Sequence, residues 1–204
     1  MKKAGSVTLN ILIALAWGRF AYINIQEFLW TGDPIFLLFT LAQAEFALLI
    51  LIRSDANSST KNPLDYILAF CGTFAVFLYS SHSHEIPYLP GYYLVGSLLV
   101  YAGLMFEIFG FLSLNTSAGI VPSNRGVKTS GIYAYIRHPI YLGSMLLFLG
   151  YFVLSPLRWN IVILIWAAIF QILRIQREEN LLMEDEIYKK YSSEVKWKLL
   201  PGIY

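Results

Sequence analysis

Two stretches of this chain place reactive side chains at the ends of apolar segments. The first runs Tyr133-Ala134-Tyr135-Ile136-Arg137-His138-Pro139-Ile140-Tyr141. Proline suits the first turn of a helix, where its missing N–H is no loss. A helix is therefore expected to start at Pro139, with His138 at its mouth. Free backbone N–H groups beside such a mouth favour an anionic group, and the rings of Tyr133 and Tyr141 offer faces that attract a cation. The second stretch runs Arg174-Ile175-Gln176-Arg177-Glu178-Glu179. Arg174 and Glu178 are four apart and share a helix face; Arg177 and Glu179 are expected to point elsewhere, as part of a solvated, charge-laced helix end. Arg174 can offer its fork to a carboxylate or phosphate. Glu178, one turn further on, can accept from an ammonium or a ribose hydroxyl. A histidine, two tyrosines, an arginine and a glutamate around one interfacial pocket suit a zwitterionic, nucleotide-like cofactor meeting a lipid-borne substrate.

The elements that must carry these residues are written in the hydropathy. The 204 residues are 57% hydrophobic and 14% charged, against roughly 45–50% and about 25% for a soluble domain. Lipid is the implied solvent. A spanning helix needs about 20 mostly apolar residues, and six segments approach this: Ser6–Trp30, Pro34–Ile52, Leu64–Ser81, Gly91–Ser113, Pro139–Ser155 and Trp159–Leu173. Turn chemistry separates them at Gly32-Asp33-Pro34, Ser54 to Pro63, Pro87 to Gly91 and Ser155-Pro156. The apolar runs are continuous rather than alternating, which argues against a membrane β-barrel. The expected fold is an all-α polytopic membrane helix bundle of about six transmembrane helices. Residues 1–113 would supply the first four, and residues 114–204 a loop, a helical hairpin and a tail that together form the cofactor site. The apolar run after Lys3 is too long for a signal-peptide core and reads as an uncleaved first span.

Threading six spans from a cytoplasmic N-terminus puts Lys2, Lys3, Arg53, Lys61, Arg125, Lys128, Arg137, Arg174, Arg177, Lys189, Lys190, Lys196 and Lys198 on the cytoplasmic side. These are 13 of the 15 basic residues, a positive-inside distribution expected of a bacterial plasma membrane or endoplasmic reticulum protein. The net charge of +2 gives no argument for nucleic acid. The single cysteine, Cys71, allows neither an internal disulfide nor a cysteine-based metal site and reads as a small buried apolar residue. Arg19, Glu45 and Glu107 fall inside spans, where an unpaired charge is costly. An Arg19–Glu45 pair fixing helix register is one reading. Glu107 either lines a cavity that opens toward the cytoplasmic loop, where it would touch substrate, or snorkels at the surface.

The run GIYAYIRHPIYLG at 131–143, together with REENLL at 177–182, resembles the isoprenylcysteine carboxyl methyltransferase family of membrane methyltransferases. Tyr188, Tyr191, Val195 and Pro201 follow the same rhythm, and the likeness covers roughly the last 95 residues. The resemblance implies S-adenosylmethionine as cofactor, held by Tyr133, His138, Pro139, Tyr141 and Glu178, with Val127 and Lys128 contributing from the preceding loop. It implies that Arg174 binds the substrate carboxylate, with Arg174 and Glu178 as the catalytic pair. The implied reaction is methyl esterification of a prenylated cysteine or an isoprenoid or lipid acid dissolved in the bilayer. The family's usual glycine after the acidic pair is absent from Glu184-Asp185-Glu186-Ile187-Tyr188, which bears on the acceptor more than on the cofactor. A phospholipid or amine N-methyltransferase shares the cofactor motifs, although Arg174 suits an amine poorly. Membrane reductases using NADPH carry a similar arginine-histidine-proline run, but with other residues at Ile140 and Ser144. A scaffold without activity would keep the hairpin alone.

Overall fold

A computed structural model describes residues 4–78 and 90–204. Lys2, Lys3, the last residues (79–81) of the third expected span and the start of the break at Pro87 lie outside the described residues. The architecture is helical almost throughout: α1 (Ala4–Thr31), α2 (Ile35–Ile52), α3 (Pro63–Phe74), α4 (Pro90–Leu114), α5 (Pro139–Leu154), α6 (Arg158–Leu182) and α7 (Glu186–Glu194). Among the described residues, four apolar helices are long enough to cross a bilayer: Val7–Thr31, Ile35–Ile52, Gly91–Ser117 and Arg158–Leu182. The other two expected spans are shorter apolar helices, α3 with 12 residues and α5 with 16. A 3₁₀ turn at Ala75–Leu78 continues α3. Leucine, isoleucine and phenylalanine cover the outer faces of these helices, as expected where hydrocarbon replaces water.

Local chemistry sets the boundaries. Gly32, at φ +70°, ends α1, its N–H reaching the carbonyl of Phe28 at 2.8 Å. The Asp33 carboxylate then accepts from the N–H of Ile35 at 2.9 Å. Asn62 caps α3 by accepting from Leu64 N–H at 2.9 Å, with Pro63 in the first turn. Cys71 is half-buried on α3. The expected Arg19–Glu45 pair does not form. Arg19 is exposed on α1, and Oε1 of Glu45 is buried with no hydrogen-bond partner; register between α1 and α2 is instead supported by Asn24 donating to Gln43 Oε1 at 3.0 Å.

Antiparallel α4 and α5 form the closest helix pair, and glycine makes it possible. A Cβ on Gly103 would stand 2.7 Å from the carbonyl oxygen of Gly143, and one on Gly143 would stand 2.7 Å from that of Gly103. Seven residues along, Gly96 and Gly150 repeat the arrangement. Small residues let backbones approach in lipid, where helices associate through packing rather than hydrophobic exclusion. Replacing Gly103 by Val should therefore destabilise the protein by about 1–3 kcal/mol, read as a lower unfolding midpoint in detergent. The same change at Gly18, whose Cβ would meet nothing within 4 Å, is the control and should leave the midpoint nearly unchanged.

The polar segments gather at one end of the bundle. β1 (Ser58–Ser59) pairs antiparallel with β2 (Ser123–Asn124), a two-residue ladder too short to be read from sequence. Ser54 N–H donates to Thr116 O at 2.8 Å and Asn57 N–H to Asn124 O at 2.7 Å. Buried Asn124 donates to Asp185 at 2.6 Å while its own oxygen accepts from Gly126 N–H at 2.9 Å. Asp185 also caps α7 through Ile187 N–H at 2.8 Å. The loop between α2 and α3, the loop between α4 and α5, and the C-terminal tail are thereby tied into one layer.

Candidate functional site

Beneath that layer lies a cavity of about 270 Å³. Its polar part is walled by the α4–α5 loop, the start of α5 and the outer half of α6. Its apolar part runs between the helices past Trp17, Phe39, Phe46, Leu104, Leu147 and Phe148. The walls therefore come from both halves of the chain.

His138 caps α5, with Pro139 in the first turn, as the residue types require. The N–H groups of Arg137 and His138, just before the helix, are engaged by the tail. They donate to the carbonyls of Trp197 and Lys198, both at 2.9 Å, which fastens the tail to this turn. The imidazole faces the carboxylate of Glu179, Nε2 to Oε1 at 2.8 Å. Glu179 also pairs with Arg137 at 3.1 Å and accepts from the Tyr188 hydroxyl at 2.6 Å. Glu179 is only 6% exposed, which corrects the expectation that it points to solvent as part of a charged helix end. Arg177 does point away from the cavity, and its Nε meets Asp65 of α3 at 2.5 Å.

Arg174 and Glu178 both line the cavity. Glu178 Oε2 accepts from the Tyr141 hydroxyl at 2.7 Å. Arg174 is 8% exposed, yet has no carboxylate within salt-bridge distance among the described residues. Its two terminal nitrogens donate to Gln171 Oε1 at 3.0 Å and Ile120 O at 3.2 Å, and its Nε is buried without a partner. Its guanidinium carbon lies 5.1 Å from the centre of the Tyr141 ring, a cation–π distance. Gly72 of α3 makes this placement possible: a Cβ there would stand 2.9 Å from Arg174 Cδ.

Tyr133, in a 3₁₀ turn at Gly131–Ala134, is buried, and its carbonyl accepts from the Tyr191 hydroxyl at 2.7 Å. Burial, then the nearby charge of Glu178, pushes the Tyr133 hydroxyl well above its ordinary range, so the ring stays neutral. The same holds for Tyr188, through burial and Glu179. Val127 and Lys128 line the polar mouth, while Pro139 is buried in the helix start and does not. Glu107 lines the cavity from α4 and accepts from Ser144 Oγ at 2.7 Å; it does not snorkel.

The sequence does not single out Glu179, its partner Arg137, or Arg125 as site residues. The glutamate repeat at 178–179 was visible, but adjacent helix positions point about 100° apart, and only the packing of α7 and the tail over α6 buries the second. Arg125 lines the cavity mouth, with Nε donating to Ser54 O at 3.1 Å and a terminal nitrogen to Ser123 Oγ.

Fold and cavity define the class: a polytopic helical membrane protein with a polar interfacial pocket continuous with an apolar one. Residues 92–191 match the model of the phospholipid methyltransferase family, described as PEMT. The match runs from the first turn of α4 into α7 and takes in most of the polar lining of the cavity, leaving out Gln43 of α2 and Thr73 of α3. It supports a membrane methyltransferase, for which S-adenosylmethionine is the implied methyl donor. No curated protein gives a significant sequence match.

The donor set fits such a cofactor. A carboxylate and aromatic faces suit its positive sulfonium and ammonium groups, and Arg174 is a buried cation with no carboxylate within salt-bridge distance among the described residues.

Proposed function

We propose that this protein transfers a methyl group from S-adenosylmethionine to a carboxylate on a prenylated cysteine or an isoprenoid or lipid acid, at the cytoplasmic face of a membrane with both termini cytoplasmic. The observation that carries the reading is Arg174: a buried guanidinium, open to the cavity, with neutral neighbours and no carboxylate of its own. Buried cations without a counter-charge are costly, so a bound anion completes the site.

The roles follow from the chemistry of each residue. Tyr133, His138, Tyr141, Val127, Lys128 and Glu178 hold the cofactor, with Pro139 fixing the turn that presents His138. When bound, the cofactor supplies a methyl group on a positive sulfur, which an acceptor oxygen takes as the carbon–sulfur bond breaks. A carboxylate is already a nucleophile, so no strong general base is required. Arg174 orients it, and fixed alignment accounts for up to roughly 7–11 kcal/mol of barrier in ideal cases. The apolar arm takes the lipid chain, and Glu107 borders the space between head and chain.

A second reading is favoured by the family match: N-methylation of an aminophospholipid, with Arg174 holding the phosphate rather than the reacting group. Methyl-labelled S-adenosylmethionine incubated with the purified protein, and either farnesylcysteine or phosphatidylethanolamine in nanodiscs, separates the two. Label in farnesylcysteine that alkali releases as methanol supports the ester reading; label confined to the amine lipid supports the second. If neither lipid gains label while the cofactor also fails to bind, both readings fall.

Replacing Glu178 by Ala removes the carboxylate that Tyr141 orients. Cofactor affinity should fall roughly tenfold or more, the scale of a lost charge-assisted contact, as read by calorimetry. Unchanged affinity would remove Glu178 from the cofactor site.

A further inference from the structure

Two guanidinium groups converge on one short piece of the cavity wall. Arg174 comes from α6 and donates to the carbonyl of Ile120 at 3.2 Å. Arg125 comes from the α4–α5 loop, and its terminal nitrogen lies 2.6 Å from where a Cβ on the preceding Gly119 would stand. Gly119, Ile120, Arg125 and Arg174 all line the cavity. Among the described residues, neither arginine has a carboxylate within salt-bridge distance; the partners of both are neutral oxygens, from Gln171 and Ile120 for one and Ser54 and Ser123 for the other.

The surrounding charges do not balance this pair. Among the nearby acids, Glu179 is paired with Arg137 and His138 and Asp65 with Arg177, while Glu178 accepts from the neutral Tyr141 hydroxyl and keeps its charge in the cavity. With Arg137 set aside as the partner of Glu179, the lining holds Arg125, Lys128 and Arg174 against Glu107 and Glu178. It therefore carries at least one excess positive charge, and a sulfonium cofactor does not neutralise it. Burial and then the charge of Arg53 push Arg125 down to about 10, against the opposing influence of Asp55 and Glu178, and it is still protonated at neutral pH. Burying cationic groups that lack a carboxylate partner is costly, so a bound anion would stabilise this wall.

We propose that Arg125 and Arg174 form a two-armed clamp for the anionic head of the lipid acceptor, a carboxylate or a phosphate, with the Gly119–Ile120 peptide as its floor. The clamp rests on the proposed function for the lipid nature of its ligand, and it adds a second arm, Arg125, to the acceptor site. Planar guanidinium forks match both oxyanions bidentately. A zwitterionic or neutral head leaves the excess charge in place and binds less well.

The test is lipid binding without cofactor, in nanodiscs of phosphatidylcholine, with farnesylcysteine and phosphatidic acid as probes and farnesylcysteine methyl ester as the neutral comparator. Wild type should prefer at least one anionic probe to the ester by roughly tenfold or more. Preference for farnesylcysteine identifies the head as a carboxylate, and preference for phosphatidic acid as a phosphate. Arg125→Gln should abolish the preference, Arg125→Lys should keep most of it, and cofactor affinity should stay unchanged in both. Gly119→Ala, which displaces the tip of Arg125 while leaving its charge, should weaken the same probe and serves if Arg125→Gln does not fold. Equal binding of acid and ester by wild type, or an undiminished preference in both Arg125→Gln and Gly119→Ala, overturns the clamp. So does a loss of cofactor affinity in place of lipid affinity. A wild type that discriminates the acids but binds no S-adenosylmethionine would instead overturn the methyltransferase reading and leave the clamp standing.

Discussion

Arg174→Ala should lower turnover by roughly 10²–10³-fold, the scale of losing one preorganised electrostatic group in a water-excluded site, with little change in cofactor affinity. The side chain is held from four directions: Gln171 and Ile120 O fix its nitrogens, Tyr141 lies against its face, and Gly72 leaves room for its methylenes. Such a group is ordered before any ligand arrives, so its contribution is not offset by the entropy of ordering a long chain. Arg174→Lys keeps the charge and loses the fork, and should recover only part of the rate. Single-turnover kinetics with saturating cofactor separate binding from transfer. A fall in cofactor affinity with an unchanged transfer rate would place Arg174 on the cofactor rather than on the acceptor.

Glu179→Ala should be the most destabilising single change in the site, by roughly 3–5 kcal/mol, because it strips a buried guanidinium of its counter-charge. Arg137 would be left with no carboxylate, His138 with an unpaired Nε2 and Tyr188 with an unpaired hydroxyl. The Nε of Arg137 is already buried without a partner, so the group has no alternative on that side. Glu179→Gln, which keeps the shape and one acceptor oxygen, should recover part of the loss. Thermal unfolding in detergent reads both, and limited proteolysis of the tail beyond Glu194 should accelerate in the Ala variant. A midpoint within a degree of wild type would show that Glu179 is dispensable to the fold.

What could be read from the sequence follows the range of the interactions. Span positions follow from local hydropathy, and the helix start at Pro139 from the rigid ring of proline. Arg174 and Glu178 share the cavity because four residues close one helical turn. The burial of Glu179 could not be read this way: it depends on contacts with residues 41 positions earlier and nine later, which no local period encodes. Arg19 was assigned a partner on the assumption that a charge in a span must pair, whereas it is exposed on the outside of α1. The glycine seam was present in the spacing of Gly96, Gly103 and Gly110 against Gly143 and Gly150. It passed unnoticed because glycine is common in membrane helices and the partner helix cannot be known before the fold. Pro139 was grouped with the cofactor residues, but its ring is buried in the helix start and shapes the turn instead.

The glycine seam also restricts how a bilayer molecule reaches the reaction chamber. Along α4 and α5 the main chains come close at Gly103 and Gly143, with Leu147, Leu154 and Val100 packed into the same seam, which leaves little room for an acyl or prenyl tail. Where α1, α2 and α3 meet, the barrier is made of rings: Trp17 stands 5.1 Å from both Phe46 and Phe74. Rings pivot about single bonds on fast timescales, whereas apposed backbones do not. If lipid enters between these rings, Trp17→Ala should speed uptake of a bilayer-dissolved substrate with cofactor affinity unchanged, and an unchanged uptake rate would exclude this route.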